Sequence, residues 1–246
     1  MNALQRFILR NRIRPLRALM AMQRLLRDPD DTGQVFRIIE SLSGDTISKP
    51  VKRLRAQDEG IKLLKEKPDI IKLLNDRNAL KAMPEGSIGR SYYNFVHLEN
   101  LSADGLVASS HEASRDFRMF TEDERWTADR LRDIHDLQHV MTGYGRDPIG
   151  ELSLLSFMTT QVHNRGIDFI IQMAKRKFQK EMPELDIDSL VEEGRQLALQ
   201  AAWMLAIPWE KRLAESLEEV RRELGFHPPV KYQRAHQFQA EHLAAA

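Results

Sequence analysis

Cysteine is absent from the 246 residues, which excludes disulfides, thiolate metal cages, cysteine nucleophiles and cysteine-ligated iron–sulfur clusters. Glycine and proline are scarce, at 12 and 10 residues. No stretch alternates apolar and polar residues for long enough to argue a sheet. Neither sign of charge prevails: Lys plus Arg is 37 and Asp plus Glu is 36, a formal net charge of +1. That balance gives no electrostatic case for a nucleic acid partner. No apolar run approaches the roughly 18 residues of a membrane span, and no secretory apolar segment opens the chain. Hydrophobic content of 42% and charged content of 30% exclude collagen-like, low-complexity and wholly disordered chains. The expectation is a soluble intracellular protein, cytoplasmic, touching the inner face of a membrane at its surface.

What is present is helix-period patterning throughout, which predicts an all-α fold in a single domain over residues 1–230. Leu4 to Arg27 is rich in Arg and Leu. Val35, Phe36, Ile38, Ile39 and Leu42 form the stripe of a short helix ending near Gly44. Val51 to Asn75 continues helical, with Pro68 opening a new helix. Met83-Pro84-Glu85-Gly86-Ser87 is the clearest internal break, after which Ile88, Tyr92, Phe95 and Leu98 repeat at helical spacing. Thr121 with Glu124 has the capping-box form and starts the next helix, whose buried side is Trp126, Leu131, Ile134, Leu137 and Val140. Gly143, Gly145, Pro148 and Gly150 turn the chain, with Asp147 as N-cap and Pro148 at the first helical position. Three further helices are predicted, over Glu151 to Lys177, Asp188 to Ile207 and Glu210 to Leu224, the last closed by Gly225. Residues 226–246 read as an extended tail, flexible over 231–246.

The chemistry concentrates in Asp133-Ile134-His135-Asp136-Leu137-Gln138-His139, with Glu151 beyond the glycine turn. At about 100° per residue, His135, His139 and Asp136 share one sector of a helix, with His139 central. Glu151 lies one turn into the following helix, which the short connection folds back beside the first. Two imidazoles and two carboxylates then converge from two helices, a set that suits one Zn²⁺, Fe²⁺ or Mn²⁺. A His pair at this spacing also describes an ordinary hydrogen-bonded surface pair; the returning Glu151 favours the metal.

Other metal chemistries fit less well. Zincin proteases carry Glu after the first His, because the longer side chain reaches the metal-bound water. Asp136 is one methylene shorter and reads as a ligand or as a partner of a ligand. A metallohydrolase would need it as the base. A di-iron bundle needs a Glu three residues before a His on each of two helices, and no His here has one. No serine sits in a nucleophile elbow, and the Gly143–Gly150 turn lacks the Lys-Ser/Thr of a phosphate loop.

His135-Asp136-x-x-His139, eleven residues and then Glu151 resembles the signature of the coenzyme Q protein four family of ubiquinone biosynthesis, bacterial type. Asp28-Pro29 to Gly44, Met83 to Tyr92, and Trp209-Glu210 to Leu224-Gly225 are similar to family segments in the same order. The likeness covers most of residues 20 to 230. It implies an all-helical fold and a metal, zinc by family habit, at His135, Asp136, His139 and Glu151. It further implies C1 decarboxylation of a 4-hydroxy-3-methoxy-5-polyprenylbenzoate, binding of isoprenoid lipid, and association with other ubiquinone biosynthesis enzymes. The alternative it implies is a lipid-binding scaffold for that enzyme complex. An oxidative outcome at C1 would need a redox source that zinc does not supply. A homodimer is expected. One departure is that Thr160-Gln161-Val162-His163-Asn164-Arg165-Gly166 stands where relatives carry a Gly/Pro-rich apolar stretch.

Two other features invite a functional reading. Leu152 to Met173 and Leu197 to Trp209, apolar on nearly all sides, read as core helices or as the wall of a polyprenyl tunnel. Residues 1–27 hold seven Arg, no Lys and no acid, and read as a retained helix lying on anionic lipid rather than a removable presequence. His163 reads as an ordinary polar residue that could line the metal cavity. His97 and His111 have no matching partners, and His227, His236 and His242 are assigned nothing.

Overall fold

The computed structural model describes residues 11–28, 31–97 and 120–244. Among the described residues there are fourteen α-helices, two 3₁₀ turns and no strand, so the all-α expectation holds. The helices are α1 (Pro15–Arg27), α2 (Thr32–Ser43), α3 (Ser48–Leu54), α4 (Asp58–Glu66), α5 (Ile70–Leu74), α6 (Arg77–Ala82) and α7 (Ile88–His97). After the undescribed segment come α8 (Glu122–Asp133), α9 (His135–Thr142), α10 (Pro148–Gln161), α11 (Arg165–Glu181), α12 (Ile187–Gln200), α13 (Leu217–Glu223) and α14 (Val230–Ala244). Leu4, Pro29, Leu98 and His111, all named in the sequence reading, lie outside the described residues, as do the side chains of His97 and His242.

Local signals set several boundaries as read. Thr121 Oγ1 accepts from the Glu124 N–H at 3.3 Å, and Glu124 Oε2 accepts from the Thr121 N–H at 2.8 Å. This capping box satisfies two otherwise unpaired donors and starts α8. Asp147 caps α10 in front of Pro148. The Met83–Ser87 break separates α6 from α7.

Five expectations are corrected. The helix expected from Thr121 through Val140 is two, divided at Ile134 (φ −87°, ψ 5°). The helix expected from Glu151 to Lys177 breaks at Val162–Asn164, where Asn164 turns its side-chain oxygen onto the Gly166 and Ile167 N–H groups and starts α11. The helix expected from Asp188 to Ile207 ends at Gln200; Gln161 reaches from α10 to accept from Met204 N–H and donate to the Ala202 carbonyl, so the next segment bonds to a side chain instead of continuing the helix. The helix expected over Glu210–Leu224 is a 3₁₀ turn at Trp209–Lys211 followed by α13, capped by Ser216. Finally, the expected extended tail is α14, docked through buried Tyr232. Pro228-Pro229, read as a tail signal, stands immediately before the helix.

The main core joins Ile88 and Tyr92 of α7, Leu137 and Met141 of α9, Leu152 and Phe157 of α10, Leu190 of α12 and Trp209. Burying each such side chain contributes about 1.5–3 kcal/mol. Phe157, Met204 and Leu205, candidates for a tunnel wall, are among these core residues or in a second cluster with Leu54 and Trp203. Arg130 of α8 is buried in the interior. Its guanidinium bonds Glu210 and the carbonyls of Leu205 and Ile207, which fastens the 201–211 segment to α8.

α1 buries Ala18, Ala21 and Met22, and Ala21 and Met22 pack with Ile38 of α2 and Ile170 of α11. Its other face leaves Leu16 77%, Leu19 45% and Met20 58% exposed. No described helix is long and apolar enough to cross a membrane.

Candidate metal centre

The break at Ile134 makes His135 the first residue of α9, so Asp136 falls in its first turn and His139 one turn further. Gly143, at φ +81°, ends α9 in the left-handed conformation, and its N–H bonds the His139 carbonyl at 2.8 Å. Four residues later Asp147 Oδ1 accepts from the Gly150 N–H at 3.0 Å and caps α10. Glu151 is thereby placed in the first turn of α10. Both carboxylates of the motif sit at helix N-termini, where the helix dipole favours their ionised form by about 0.3–1 kcal/mol each.

The four predicted residues come together. Ligand atoms of His135, Asp136 and His139 all lie within 4.8 Å of one another, and the two imidazole rings stand edge to face at 4.9 Å. Glu151 faces both from α10: its Oε1 is 3.3 Å from His139 Nε2 and its Oε2 is 4.0 Å from His135 Nε2. His139 Nδ1 lies 3.0 Å from the Tyr144 carbonyl oxygen. A carbonyl only accepts, so Nδ1 carries a proton, and when the ring is neutral Nε2 presents a lone pair. That buried Nε2 has no hydrogen-bond partner. A lone pair opposite a carboxylate oxygen needs a proton or a cation between them. His135 is oriented in the same way, with Nδ1 3.2 Å from Asp136 Oδ1. Asp136 Oδ1 also forms an ion pair with Arg146 Nη2 at 3.1 Å. Carboxylate and carbonyl partners on the far nitrogens of two histidines are the usual backing of metal-ligating imidazoles. Ligands at about 2.1 Å in a tetrahedron stand about 3.4 Å apart, so separations of 3.3 and 4.0 Å fit an ion between these groups.

The charges support one another. Burial works to neutralise Asp136, but the bond from His135 and the charges of His135 and Arg146 hold it below the usual carboxylate range. Burial likewise opposes ionised Glu151, and the positive charge that His139 and His135 carry when protonated outweighs it. His135 rises above the ordinary imidazole value against its own burial, through the Asp136 bond and the Glu151 charge. The set is therefore rich in negative charge and basic nitrogen, the donor chemistry of a divalent cation.

Some residues of this neighbourhood carry no functional signal in the sequence. Arg146 reads there only as part of a turn; its guanidinium stands 4.6 Å above the Phe95 ring, and that ring is 5.2 Å from His139. Phe95 reads only as one position of an apolar repeat. The Tyr144 carbonyl has no sequence signal at all. His163 is not brought to the site; it is exposed at the end of α10, 3.3 Å from Asp168.

Residues 12–230 match the family model of the coenzyme Q (ubiquinone) biosynthesis protein Coq4. The chain belongs to the Coq4 family. The Xenopus tropicalis protein named as the mitochondrial ubiquinone biosynthesis protein COQ4 homologue is 29% identical over 210 residues, 83% of this chain and 70% of that protein. The Bos taurus homologue of the same name is 27% identical over 217 residues, 84% of this chain and 76% of its own length. The fold is similar to a crystal structure of a Nostoc punctiforme protein described as a ubiquinone biosynthesis protein. There the TM-score is 0.65 at 18% identity, covering 87% of this chain and 98% of that one. The Coq4 match spans every residue of the His135–Glu151 cluster.

Proposed function

We propose that this Coq4-family chain is a metal-dependent decarboxylase of ubiquinone biosynthesis, acting on a 4-hydroxy-3-methoxy-5-polyprenylbenzoate. The observation that carries the metal is the unpartnered lone pair of buried His139 Nε2 opposite the Glu151 carboxylate. In this reading His135, His139 and Glu151 hold one divalent ion. Asp136, also expected as a ligand, fixes the tautomer of His135 through Oδ1. Zinc is the family's habit, while Fe²⁺ and Mn²⁺ suit the same donors. When bound, such an ion supplies Lewis acidity to a carboxylate and its neighbouring oxygen. The bond from C1 to the carboxylate breaks, the electron pair stays with the ring, CO₂ leaves and a proton takes its place. Glu151 is 37% exposed at its side chain while His139 is fully buried, so the Glu151 side is the approach for the acid.

The polyprenyl tail places the reaction at a membrane. Each buried CH₂ is worth about 0.8 kcal/mol, so a long tail does not remain in water. The exposed Leu16, Leu19 and Met20 of α1, continued one turn on by exposed Arg24 and Arg27, form an apolar and cationic face suited to anionic lipid. Peripheral association through α1, in the company of other ubiquinone biosynthesis enzymes and as a homodimer, belongs to the same proposal.

The test incubates metal-loaded protein with the prenylated acid and follows CO₂ and product mass. Release of one CO₂ per product, lost in His139→Ala, is the expected result. Tight retention of the lipid with no CO₂ under Zn²⁺, Fe²⁺ or Mn²⁺ would replace the enzyme by the scaffold reading, which the exposed face of α1 also accommodates.

A further inference from the structure

The turn between the two halves of the metal motif is gripped from outside by the last described helix. Tyr232, in the first turn of α14, is buried, and its hydroxyl accepts from the Gly145 N–H at 2.9 Å while donating to Asp147 Oδ2. Asp147 uses its other oxygen to cap α10. One carboxylate therefore ties the helix that carries Glu151 to the Tyr232 hydroxyl. The Tyr232 ring meets Tyr144 edge to face at 5.4 Å, and Tyr144 is the residue whose carbonyl holds His139 Nδ1. Gly145 has no room for a side chain, since a Cβ there would overlap Tyr232 Oη and Asp147 Oδ2. α14 is itself anchored at this end: both oxygens of Glu193 on α12 accept backbone N–H groups, from Lys231 at 2.7 Å and Tyr232 at 3.0 Å.

We propose that Tyr232 is a positioning residue of the metal centre. By pinning Gly145 and Asp147 and packing on Tyr144, it sets the separation between His139 on α9 and Glu151 on α10. Its hydrogen bonds and ring contacts go to residues other than the four of the motif, and it lies beyond residues 12–230 of the family match. The inference rests on the metal reading above. Outer partners that orient ligands typically change metal affinity by about 10–100-fold when removed, and Tyr232 acts one contact further out, through Tyr144 and Asp147. The expected loss is therefore at the lower end of that range.

The test loads the full chain with Co²⁺, measures affinity by competition with a chromogenic chelator, and records the visible ligand-field spectrum. Tyr232→Phe should bind Co²⁺ about tenfold more weakly than wild type and show a shifted spectrum. Gly145→Ala, which displaces the hydroxyl from the opposite side, should give the same two changes. Ser156→Ala removes a 2.7 Å bond from α10 to the Val191 carbonyl, away from the turn. It should lower the melting temperature while leaving Co²⁺ affinity and spectrum at wild-type values. If Tyr232→Phe and Gly145→Ala melt lower but match wild type in affinity and spectrum, Tyr232 is merely structural and the inference is overturned. A wild type that takes up no Co²⁺ overturns the metal reading, and this inference with it.

Discussion

His139 and Glu151 stand 3.3 Å apart, nitrogen to oxygen, with no hydrogen bond completed at the buried nitrogen. Two helices and a capped turn hold this contact in place. Purified protein should carry about one equivalent of divalent metal. His139→Ala should carry almost none, and elemental analysis after dialysis decides it. A metal-free wild type with full activity would sink the proposal.

Asp133, two residues before the motif, is 11% exposed at its side chain. Burial pushes its pKa up to about 6 despite the bond from Arg132. A raised carboxyl pKa means that the folded state binds the proton more tightly than the unfolded chain. The associated stability is present below about pH 3.8, the unfolded value, and is lost as pH rises to about 6. Proton binding roughly a hundredfold tighter in the folded state corresponds to at most about 3 kcal/mol. Asp133→Asn should therefore gain on wild type progressively between about pH 4 and 6, as read by urea midpoints at each pH. A constant difference across that range would contradict the assignment.

Arg130 is 2% exposed and serves Glu210 and two carbonyls. Arg130→Met leaves a mostly buried carboxylate and those carbonyls without their donor, at about 3–5 kcal/mol. Urea unfolding should move to a lower midpoint with the slope unchanged. Arg130→Lys should recover only part of it, because a single ammonium does not reproduce the planar fork.

On α1, Arg14 and Arg17 lie 3.9 and 3.3 Å from Glu40 of α2, so their charge is partly answered within the fold. Liposome binding should depend more on Leu16, Leu19, Arg24 and Arg27. Sedimentation with anionic vesicles should weaken with salt, and fall at least severalfold in Leu16→Ser/Leu19→Ser. Equal sedimentation with neutral and anionic vesicles would leave α1 as a structural helix.

The parts of the fold readable in the sequence are those decided within four residues. Thr121 with Glu124, and Asp147 with Pro148, carry their own hydrogen bonds and mark α8 and α10 correctly. The four motif residues are legible for the same reason, since their spacing on helices sets their faces. Segment 201–216 is not legible. Its apolar residues have no helical obligation once Gln161 and Arg130, distant in sequence, take up its backbone groups. The role of Asp136 stays open in the sequence because only side-chain geometry puts His135 Nδ1 and Arg146 on one of its oxygens. Tyr232 is invisible there because its partners lie 85 and 87 residues earlier.

Those long separations also bear on the order of events during synthesis. The carbonyls of Val140 and Met141, at the end of the helix bearing both histidines, bond the guanidinium of Arg221, 81 and 80 residues later. The Gly145 N–H bonds a hydroxyl 87 residues later. All four motif residues therefore leave the ribosome well before the groups that lock their connecting turn. A nascent chain paused near residue 215 would expose two imidazoles and two carboxylates on an unbraced turn. Assembly of the four-residue cluster in its final geometry is then a late event, coupled to the arrival of the last helix.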